Sequence, residues 1–491
     1  YTDRNSDQII DYTDYLFVGQ YLPYYICDYY VTYTTFAPGN VPTGDCGTPD
    51  MFVDSITDTT VQTHELRINA PINDTMSLTA GAFFSDLELL EHNMFTYPGS
   101  LVSDIGWGPN YALTDISVTG VVLQGKSSEN AGAGWHSGRG PYQAPVIFIN
   151  DIKRTDKQQG FFGELSIDVS ETSELTVGAR WYDIEVDLEG SANSSFYNGF
   201  GNPDTQQFGS NLSAQYAPGN ANGYPDKAET DGVIGKVTYS WKPSEDKMYY
   251  VTWSEGFRPG LLNRPVGRTS ADGSYSVPPS VDSDEITNWE FGWKNVLRDG
   301  RLRFNGSIFR VDVSGLQSTI FDPSIVNLFF SDNAADAEIK GIEGDFIYYT
   351  DGGLILSGAF SMLDTEITKS LIPTGDIIVG QELAFAPGYQ ANISGRKEWT
   401  MEGGNTGFWQ LQFSMSDKSY SDIMQPNRAV QDSYNLTNIR AGVSTDDWTA
   451  EMYVDNVTDE RAEISNTFVF DRQRVAVIRP MTVGLRYKMK F

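Results

Sequence analysis

Positive charge is scarce in this sequence, and long apolar runs are missing from it. Asp and Glu total 65 against 34 Lys and Arg, which gives a formal net charge of −31 at pH 7. A surface this acidic repels phosphate backbones, so the composition excludes nucleic-acid binding. No run of about 18 or more apolar residues occurs, so no transmembrane helix is predicted. A membrane-spanning β-barrel stays open, because its apolar face is spread over alternate residues.

Motifs for catalysis and for metal or cofactor binding are missing as well. The chain has three histidines, and His64-Glu65 lacks the second histidine of a zinc-protease motif. No Gly-x-Ser-x-Gly segment marks a nucleophile, and no EF-hand pattern marks a calcium loop. The sequence therefore predicts neither an enzyme nor a resident metal or cofactor.

Cysteine is nearly absent, since Cys27 and Cys46 are the two in the chain. Both lie in a stretch without a clear strand or helix pattern. A single pair is typical of one disulfide in an oxidising compartment. We predict that Cys27 and Cys46 are bonded to each other, with two unpaired thiols as the alternative.

The pattern that is present is alternation with a period of two residues, clearest in the last strand. From Met481 to Phe491, every second residue is apolar or aromatic, and polar residues or glycine lie between them. Similar alternation recurs in roughly 16 segments, many of them about 10 residues long, the length of a tilted membrane-spanning strand. Helical periodicity is nearly absent. We therefore predict an all-β protein that forms an antiparallel transmembrane β-barrel.

The predicted connections alternate strictly between short and long. The short ones are turns at 71–74, 170–173, 242–246, 297–300, 350–353, 401–405 and 444–448. The long ones span about 11–60, 89–154, 190–227, 259–281, 318–335, 366–385, 417–431 and 457–476. Outer-membrane barrels have this arrangement, with short periplasmic turns and long extracellular loops. We predict that residues 1–491 belong to one barrel whose long loops are extracellular.

Five segments of the sequence resemble a known family. They are MYYVTWSEGFRPGLLNRP (248–265), EITNWEFGWKN (285–295), FSDNAADAEIKGIEGDF (330–346), MYVDNVTDERA (452–462) and RPMTVGLRYKMKF (479–491). By their order and spacing they resemble the C-terminal part of a TonB-dependent outer-membrane receptor. Together they extend over most of residues 150–491.

The resemblance implies more than this chain contains. Receptors of the family have a barrel of about 22 strands with an N-terminal plug in the lumen. The plug, the TonB box and the first strands are absent from this sequence, so we expect it to be the C-terminal portion of a longer receptor. The family also implies a lipid bilayer as surroundings, the TonB complex as a partner through the missing N-terminal region, and the outer membrane of a Gram-negative bacterium as location.

The end of the chain resembles a family signal of a different kind. A last strand ending in phenylalanine is similar to the sorting signal that the outer-membrane assembly machinery reads. In this sequence Tyr487, Met489 and Phe491 would carry that signal.

Candidate ligand-binding residues lie in two of the long loops. They are Trp107, Tyr111, Trp135, His136 and Arg139 in 89–154, and Arg258, Asn263 and Arg264 around the start of 259–281. Aromatic rings offer stacking surface for a sugar or a catecholate, and arginine offers paired hydrogen bonds to a carboxylate. Each aromatic residue could instead belong to an interfacial girdle or to loop packing. Arg258 could equally be a structural brace against a neighbouring carboxylate.

The resulting hypothesis is a receptor that takes up a scarce nutrient with energy coupled through TonB. The ligand would be a ferric siderophore, an oligosaccharide or a similar small molecule. Two alternatives stay open: a passive porin of about 16 strands, and a surface-binding barrel without transport.

Overall fold

The computed structural model describes residues 24–27, 30–33, 52–96, 134–135, 137, 146–194, 209–270, 272–320, 325, 329–373, 375–469 and 472–490. Within these ranges strands dominate. No helix of this part of the chain is long and apolar enough to cross a membrane.

Fifteen long strands form one continuous antiparallel sheet, in which each strand pairs with its neighbours along the chain. The prediction of an all-β fold with an antiparallel barrel sheet is confirmed. We number the strands β1 (Phe52–Asn73), β2 (Met76–Thr96), β3 (Val146–Ser170), β4 (Ser173–Ser194), β5 (Ala228–Ser244), β6 (Lys247–Arg258), β7 (Asp284–Leu297), β8 (Leu302–Ile320), β9 (Phe330–Tyr349), β10 (Leu354–Ser370), β11 (Tyr389–Thr400), β12 (Thr406–Ser416), β13 (Tyr434–Ser444), β14 (Trp448–Asp455) and β15 (Thr482–Met489).

Short and long connections alternate along this sheet. Turns of two to five residues follow β1, β3, β5, β7, β9, β11 and β13. The connections at the other end are 97–145, 195–227, 259–283, 321–329, 371–388, 417–433 and 456–481. Pairing of β8 with β9 continues to Ile320 and Phe330, inside the predicted loop 318–335. Strand pairing thus continues into residues whose sequence no longer alternates between apolar and polar side chains.

The outer face of the sheet is apolar over a broad belt. In β15, Val483, Leu485 and Met489 are 64%, 84% and 53% exposed. Strand register aligns such side chains into rows across neighbouring strands, because facing residues lie on the same side of a sheet. One row consists of Phe291, Ile308, Ile342 and Met362 on β7 to β10. An apolar outer belt of this kind is what a lipid environment requires.

The inner face is polar where the outer face is apolar. Asn305 of β8 donates to the Asp345 carboxylate of β9 at 3.2 Å, and Asn392 of β11 donates to Ser414 of β12 at 2.6 Å. Lys236 of β5 lies 3.5 Å from Glu164 of β3. Polar side chains thus alternate with apolar ones along each strand, as in a barrel with an aqueous lumen.

The long connections contain short elements and share a core. They include a helix, α1 (Leu212–Gln215), and the hairpins Leu261–Leu262/Ser280–Val281, Ser419–Tyr420/Val430–Gln431 and Glu463–Val469/Arg472–Val477. A further hairpin, Tyr24–Cys27/Tyr30–Tyr33, precedes β1. Val277, Ile325, Ile372, Ile377 and Ile423 pack in one cluster, and each is at most 5% exposed. Four connections therefore hold one another in a defined arrangement above the sheet.

Candidate ligand-binding mouth

The four-residue helix α1 joins a distant loop to the inner face of the sheet. The Ser213 hydroxyl donates to the Trp135 carbonyl at 2.5 Å and accepts from the Gly190 N–H at 2.7 Å. Leu212 is fully buried against a cluster that includes Ile184 and Val186 of β4. The helix therefore brings the backbone of Trp135 to the end of β4.

Gly190 makes this close approach of strands and helix feasible. Its φ is +96°, in the left-handed region where side chains cause strain. A Cβ at this position would lie 2.2 Å from the Asp151 carbonyl oxygen of β3. A larger residue would therefore displace β3 or the end of β4. This displacement would also disturb the hydrogen bond between the Gly190 N–H and Ser213.

The same helix also holds the 259–283 connection. The Gln215 side chain donates to the carbonyls of Asn263 and Arg264, each at 3.3 Å. The Tyr216 hydroxyl donates to the Asn263 carbonyl and, at 3.0 Å, to the Pro279 carbonyl. Burial raises the pKa of the Tyr216 hydroxyl, so it stays protonated and keeps donating. Trp135 and Arg264, from two distant loops, are thereby fastened to one helix.

We call the region around α1, Trp135 and Arg264 the mouth. Asn263 has a structural role in this mouth. Its side chain donates to the carbonyls of Pro278 and Ser331 at 2.9 and 2.8 Å, and it accepts from the Ser331 N–H at 2.8 Å. It is 2% exposed. Both the NH2 group and the oxygen of its side-chain amide are hydrogen-bonded within the protein. Asn263 therefore holds the 259–283 connection against β9.

Arg264 is the cation of the mouth with donors to spare. Its Nη1 donates to the Asn150 side chain at 2.8 Å, and Asn150 donates to the Glu91 carboxylate at 2.6 Å. Burial lowers the pKa of the Arg264 guanidinium, and the Glu91 carboxylate opposes this effect. Arginine keeps its charge at neutral pH in any case. A guanidinium has five N–H donors, and this is its one side-chain hydrogen bond to described residues.

Trp135 presents an aromatic ring beside a second cation. Lys153 of β3 places its Nζ 5.4 Å from the centre of the Trp135 ring, which is a cation–π distance. The same amine pairs with Glu189 of β4 at 2.7 Å. Trp135 itself is half-buried. The ring is thus held in place and keeps part of its surface open.

Arg258 is paired with a buried carboxylate. Its Nε donates to Asp284 at 2.7 Å, its backbone N–H donates to the same carboxylate at 2.9 Å, and its Nη2 also contacts it. The Asp284 side chain is 1% exposed, whereas that of Arg258 is 52% exposed. This contact joins the end of β6 to the start of β7.

The remaining predicted residues are placed as follows. Trp107, Tyr111, His136, Arg139, Cys46 and Phe491 lie outside the described residues, as does the side chain of Cys27, which ends the strand Tyr24–Cys27. Tyr487 and Met489 lie on the outer face of β15, 61% and 53% exposed. The Tyr487 ring stacks on Trp448 of β14, with ring centres 6.0 Å apart.

The mouth as described combines an aromatic face with two cations. Within the described ranges, no group of three or more His, Cys, Asp or Glu side chains could hold a metal ion. Trp135 with Lys153 offers a stacking surface beside a cation, and Arg264 offers spare donors for carboxylate or catecholate oxygens. Lys153 lies on the outer side of β3, whereas Asn150, the partner of Arg264, lies on its inner side. No sequence pattern signals a role for Glu91, Asn150, Ser213 or Tyr216, because their partners are distant in the chain.

The chain also matches a known protein family. Residues 1–457 match the family described as "TonB dependent receptor-like, beta-barrel". The chain belongs to this family. Its members are outer-membrane receptors of Gram-negative bacteria and not enzymes, so the prediction that the chain is not an enzyme is confirmed. The resemblance to TonB-dependent receptors is confirmed as well.

Individual relatives are similar at low identity. A curated relative, "Probable TonB-dependent siderophore receptor PiuA" of Acinetobacter baumannii, is 26% identical over 157 residues, which is 31% of this chain and 20% of PiuA. Among solved structures, the ferric yersiniabactin uptake receptor FyuA of Yersinia pestis has a TM-score of 0.64 at 14% identity, covering 91% of this chain and 56% of FyuA. The siderophore receptor PiuA has a TM-score of 0.56 at 16% identity, covering 88% and 56%.

These structural likenesses concern the fold. The chain spans somewhat more than half of the solved receptors, and the aligned part spans a fifth of the curated relative. What the complete receptors bind and transport is therefore a matter for a proposal about this chain.

Proposed function

We propose that this chain forms the barrel of an outer-membrane receptor that takes up a scarce nutrient. A ferric siderophore is the first candidate and an oligosaccharide the second. In this proposal TonB supplies the energy through an N-terminal plug region upstream of this segment. The assembly machinery inserts the barrel by reading Tyr487, Met489 and Phe491, and Cys27 and Cys46 form a disulfide in an outer loop.

The arrangement around α1 carries the proposal. One helix holds Trp135 and Arg264, from loops that are far apart in the chain, at the same end of the sheet. The spare N–H donors of Arg264 can bind ligand oxygens in pairs, and the Trp135 ring with Lys153 can stack on a flat ligand group. Each feature by itself favours a ferric chelate with catecholate or carboxylate groups, since the two lie on opposite faces of β3. The overall charge of −31 repels anionic ligands at long range, so their binding has to depend on these local cations.

The siderophore proposal is tested by binding and uptake with defined probes. A ferric catecholate, a ferric hydroxamate and a maltooligosaccharide are titrated against the purified full-length receptor, and labelled iron uptake is measured in cells with and without TonB. We expect one ferric chelate to bind and its uptake to need TonB. R264Q and W135A should each raise the Kd for this chelate about tenfold, since each removes a charged or aromatic contact.

A matched variant and the alternatives complete this test. K247Q removes an exposed lysine next to the turn between β5 and β6, at the other end of the sheet, and should leave the Kd unchanged. Uptake of small solutes that needs no TonB would contradict the proposal and favour a passive porin. Binding without any uptake in cells that have TonB would favour a surface-binding barrel.

A further inference from the structure

A groove on the outer face of the sheet lies just at the boundary of the apolar belt. It has a volume of about 770 Å³ and is lined mainly by Val251, Trp289, Phe291, Ile308, Ile342 and Met362. Phe291, Ile308, Ile342 and Met362 face one another in register across four strands. A volume of this size is typical of sites for small molecules.

Two cations lie in the next row of residues toward the long connections. Trp289, Arg310, Lys340 and Asp364 face one another in register, two residues further along each strand than the apolar row. Two residues along a strand correspond to about 7 Å, so the outer face changes from apolar to charged within one step. Arg310 and Lys340 are cross-strand partners, about 5 Å apart at the backbone. One phosphate group can therefore contact both side chains.

Carboxylates hold these two cations in place from the side away from the belt. Arg310 lies 2.9 Å from Asp312 and 2.6 Å from Glu338, and Lys340 also pairs with Glu338. The side chains of Arg310 and Lys340 remain 54% and 50% exposed. Lysine has three N–H donors and arginine five, so both keep donors beyond those that the carboxylates use. Long cationic side chains at such a boundary place their charge at the lipid headgroups.

We propose that this groove binds a phosphate-bearing lipid of the surrounding outer leaflet. An acyl chain lies over Phe291, Ile308 and Met362, and a headgroup phosphate accepts hydrogen bonds from Arg310 and Lys340. Trp289 lies at the level of the headgroup, where indole rings are favoured. The inference rests on the proposed function only in that the barrel lies in an outer membrane. The Asp364 and Glu366 carboxylates nearby would repel a bare phosphate, so a divalent counter-ion on the lipid should strengthen binding.

Native mass spectrometry of the full-length receptor tests this site. Delipidated receptor is titrated with diphosphoryl lipid A, with its monophosphoryl form and with phosphatidylcholine, each with and without Mg²⁺. We expect diphosphoryl lipid A to bind best, and R310Q/K340Q to weaken its binding about tenfold, the loss expected for two charge-assisted hydrogen bonds. A brominated lipid should quench Trp289 fluorescence, measured as the difference between the receptor and W289F, and R310Q/K340Q should reduce this quenching.

The controls separate this site from general attraction to lipids. K157Q/K227Q removes two lysines from the outer side of the β3–β5 region, away from the groove, and should leave lipid A binding unchanged. Heat-dependent migration in gels confirms that each variant is folded. Equal lipid A binding by the receptor and R310Q/K340Q would overturn the proposal, as would equal binding of phosphatidylcholine and lipid A. Uptake should be normal in R310Q/K340Q, so a failed lipid site and a failed receptor function are distinguishable.

Discussion

Arg258 shows at the residue scale how a tertiary contact bears on the choice between two predicted roles. From the sequence it is either a ligand contact or a brace. In the structure it meets Asp284, which is 26 residues away and buried, with a side-chain exposure of 1%. The geometry favours the brace, because a buried carboxylate needs its hydrogen-bond partners.

Replacing Arg258 tests this role. R258A should lower the free energy of unfolding by about 1–3 kcal/mol, less than for a fully buried pair because Arg258 is half exposed. Ligand affinity should stay within about twofold. The measurements are thermal unfolding in detergent and a binding titration.

An exposed ion pair serves as the control for R258A. R301A removes the partner of Asp351, whose side chain is 87% exposed, and should change the unfolding midpoint little. If R258A instead weakened ligand binding about tenfold and left the midpoint unchanged, Arg258 would be a ligand contact.

At the scale of elements, α1 is the part of the mouth that no local pattern indicates. It has four residues, and its hydroxyl and amide groups contact loops that lie far away in the sequence. The strands, in contrast, follow from alternation that is visible within ten residues. A helix this short depends on its contacts, since an isolated helical turn is unstable.

The double variant S213A/Y216F should loosen the mouth without altering the sheet. It removes the hydroxyl contacts to Trp135, Gly190, Asn263 and Pro279, each worth about 1 kcal/mol. We expect faster proteolysis within 195–227 and ligand affinity reduced about tenfold. The control S270A lies in the 259–283 connection, where its hydroxyl contacts Asp272 at 2.6 Å, and it should leave cleavage within 195–227 unchanged. Unchanged cleavage in the double variant would contradict the role of α1.

The apolar outer face of β15 leads to a second prediction at the scale of elements. Leu485 is 84% exposed, so in water an arginine there would be harmless. In a bilayer, L485R should cost about 2–4 kcal/mol near the midplane. Urea unfolding in lipid vesicles measures this difference.

A loop variant is the comparison for L485R. Val379, in the 371–388 connection, is 55% exposed, and V379R should leave the free energy of unfolding unchanged. Equal stability of L485R and V379R would contradict a lipid-facing β15.

At the scale of the whole molecule, the described sheet has two ends. Its order runs from β15 to β1, and these two strands do not pair with each other in the described part of the chain. Unpaired strand edges are costly in a membrane, because their backbone groups lack partners there. We therefore propose that the native polypeptide supplies further strands together with the plug.

The intact mass of the receptor from its native membrane checks this proposal. If the native polypeptide supplies a plug and further strands, its mass should lie well above the 54.5 kDa of this chain. A mass equal to this chain would contradict the larger barrel and leave a porin as the better account.

The sequence by itself determined the middle part of the strands, their two faces and the positions of the short turns. These features have a local cause, because a period of two residues assigns each side chain to one face within a single strand. Thus the alternation from Met481 onward predicts the apolar outer face of β15, and the segments that resemble TonB-dependent receptors predict the family. The sequence did not determine how far strands such as β1, β2, β8 and β9 extend into the predicted loops.

Only the tertiary structure decided which side chains meet at the mouth. Ser213 contacts Trp135 across 78 residues, and Arg264 contacts Asn150 across 114. No spacing in the sequence signals such contacts, because they depend on where the sheet brings the ends of distant strands and loops. The same holds for Arg310 and Lys340, which become neighbours through the register of β8 and β9. Local alternation assigns each residue to a face, and the packing of the folded chain assigns its partner.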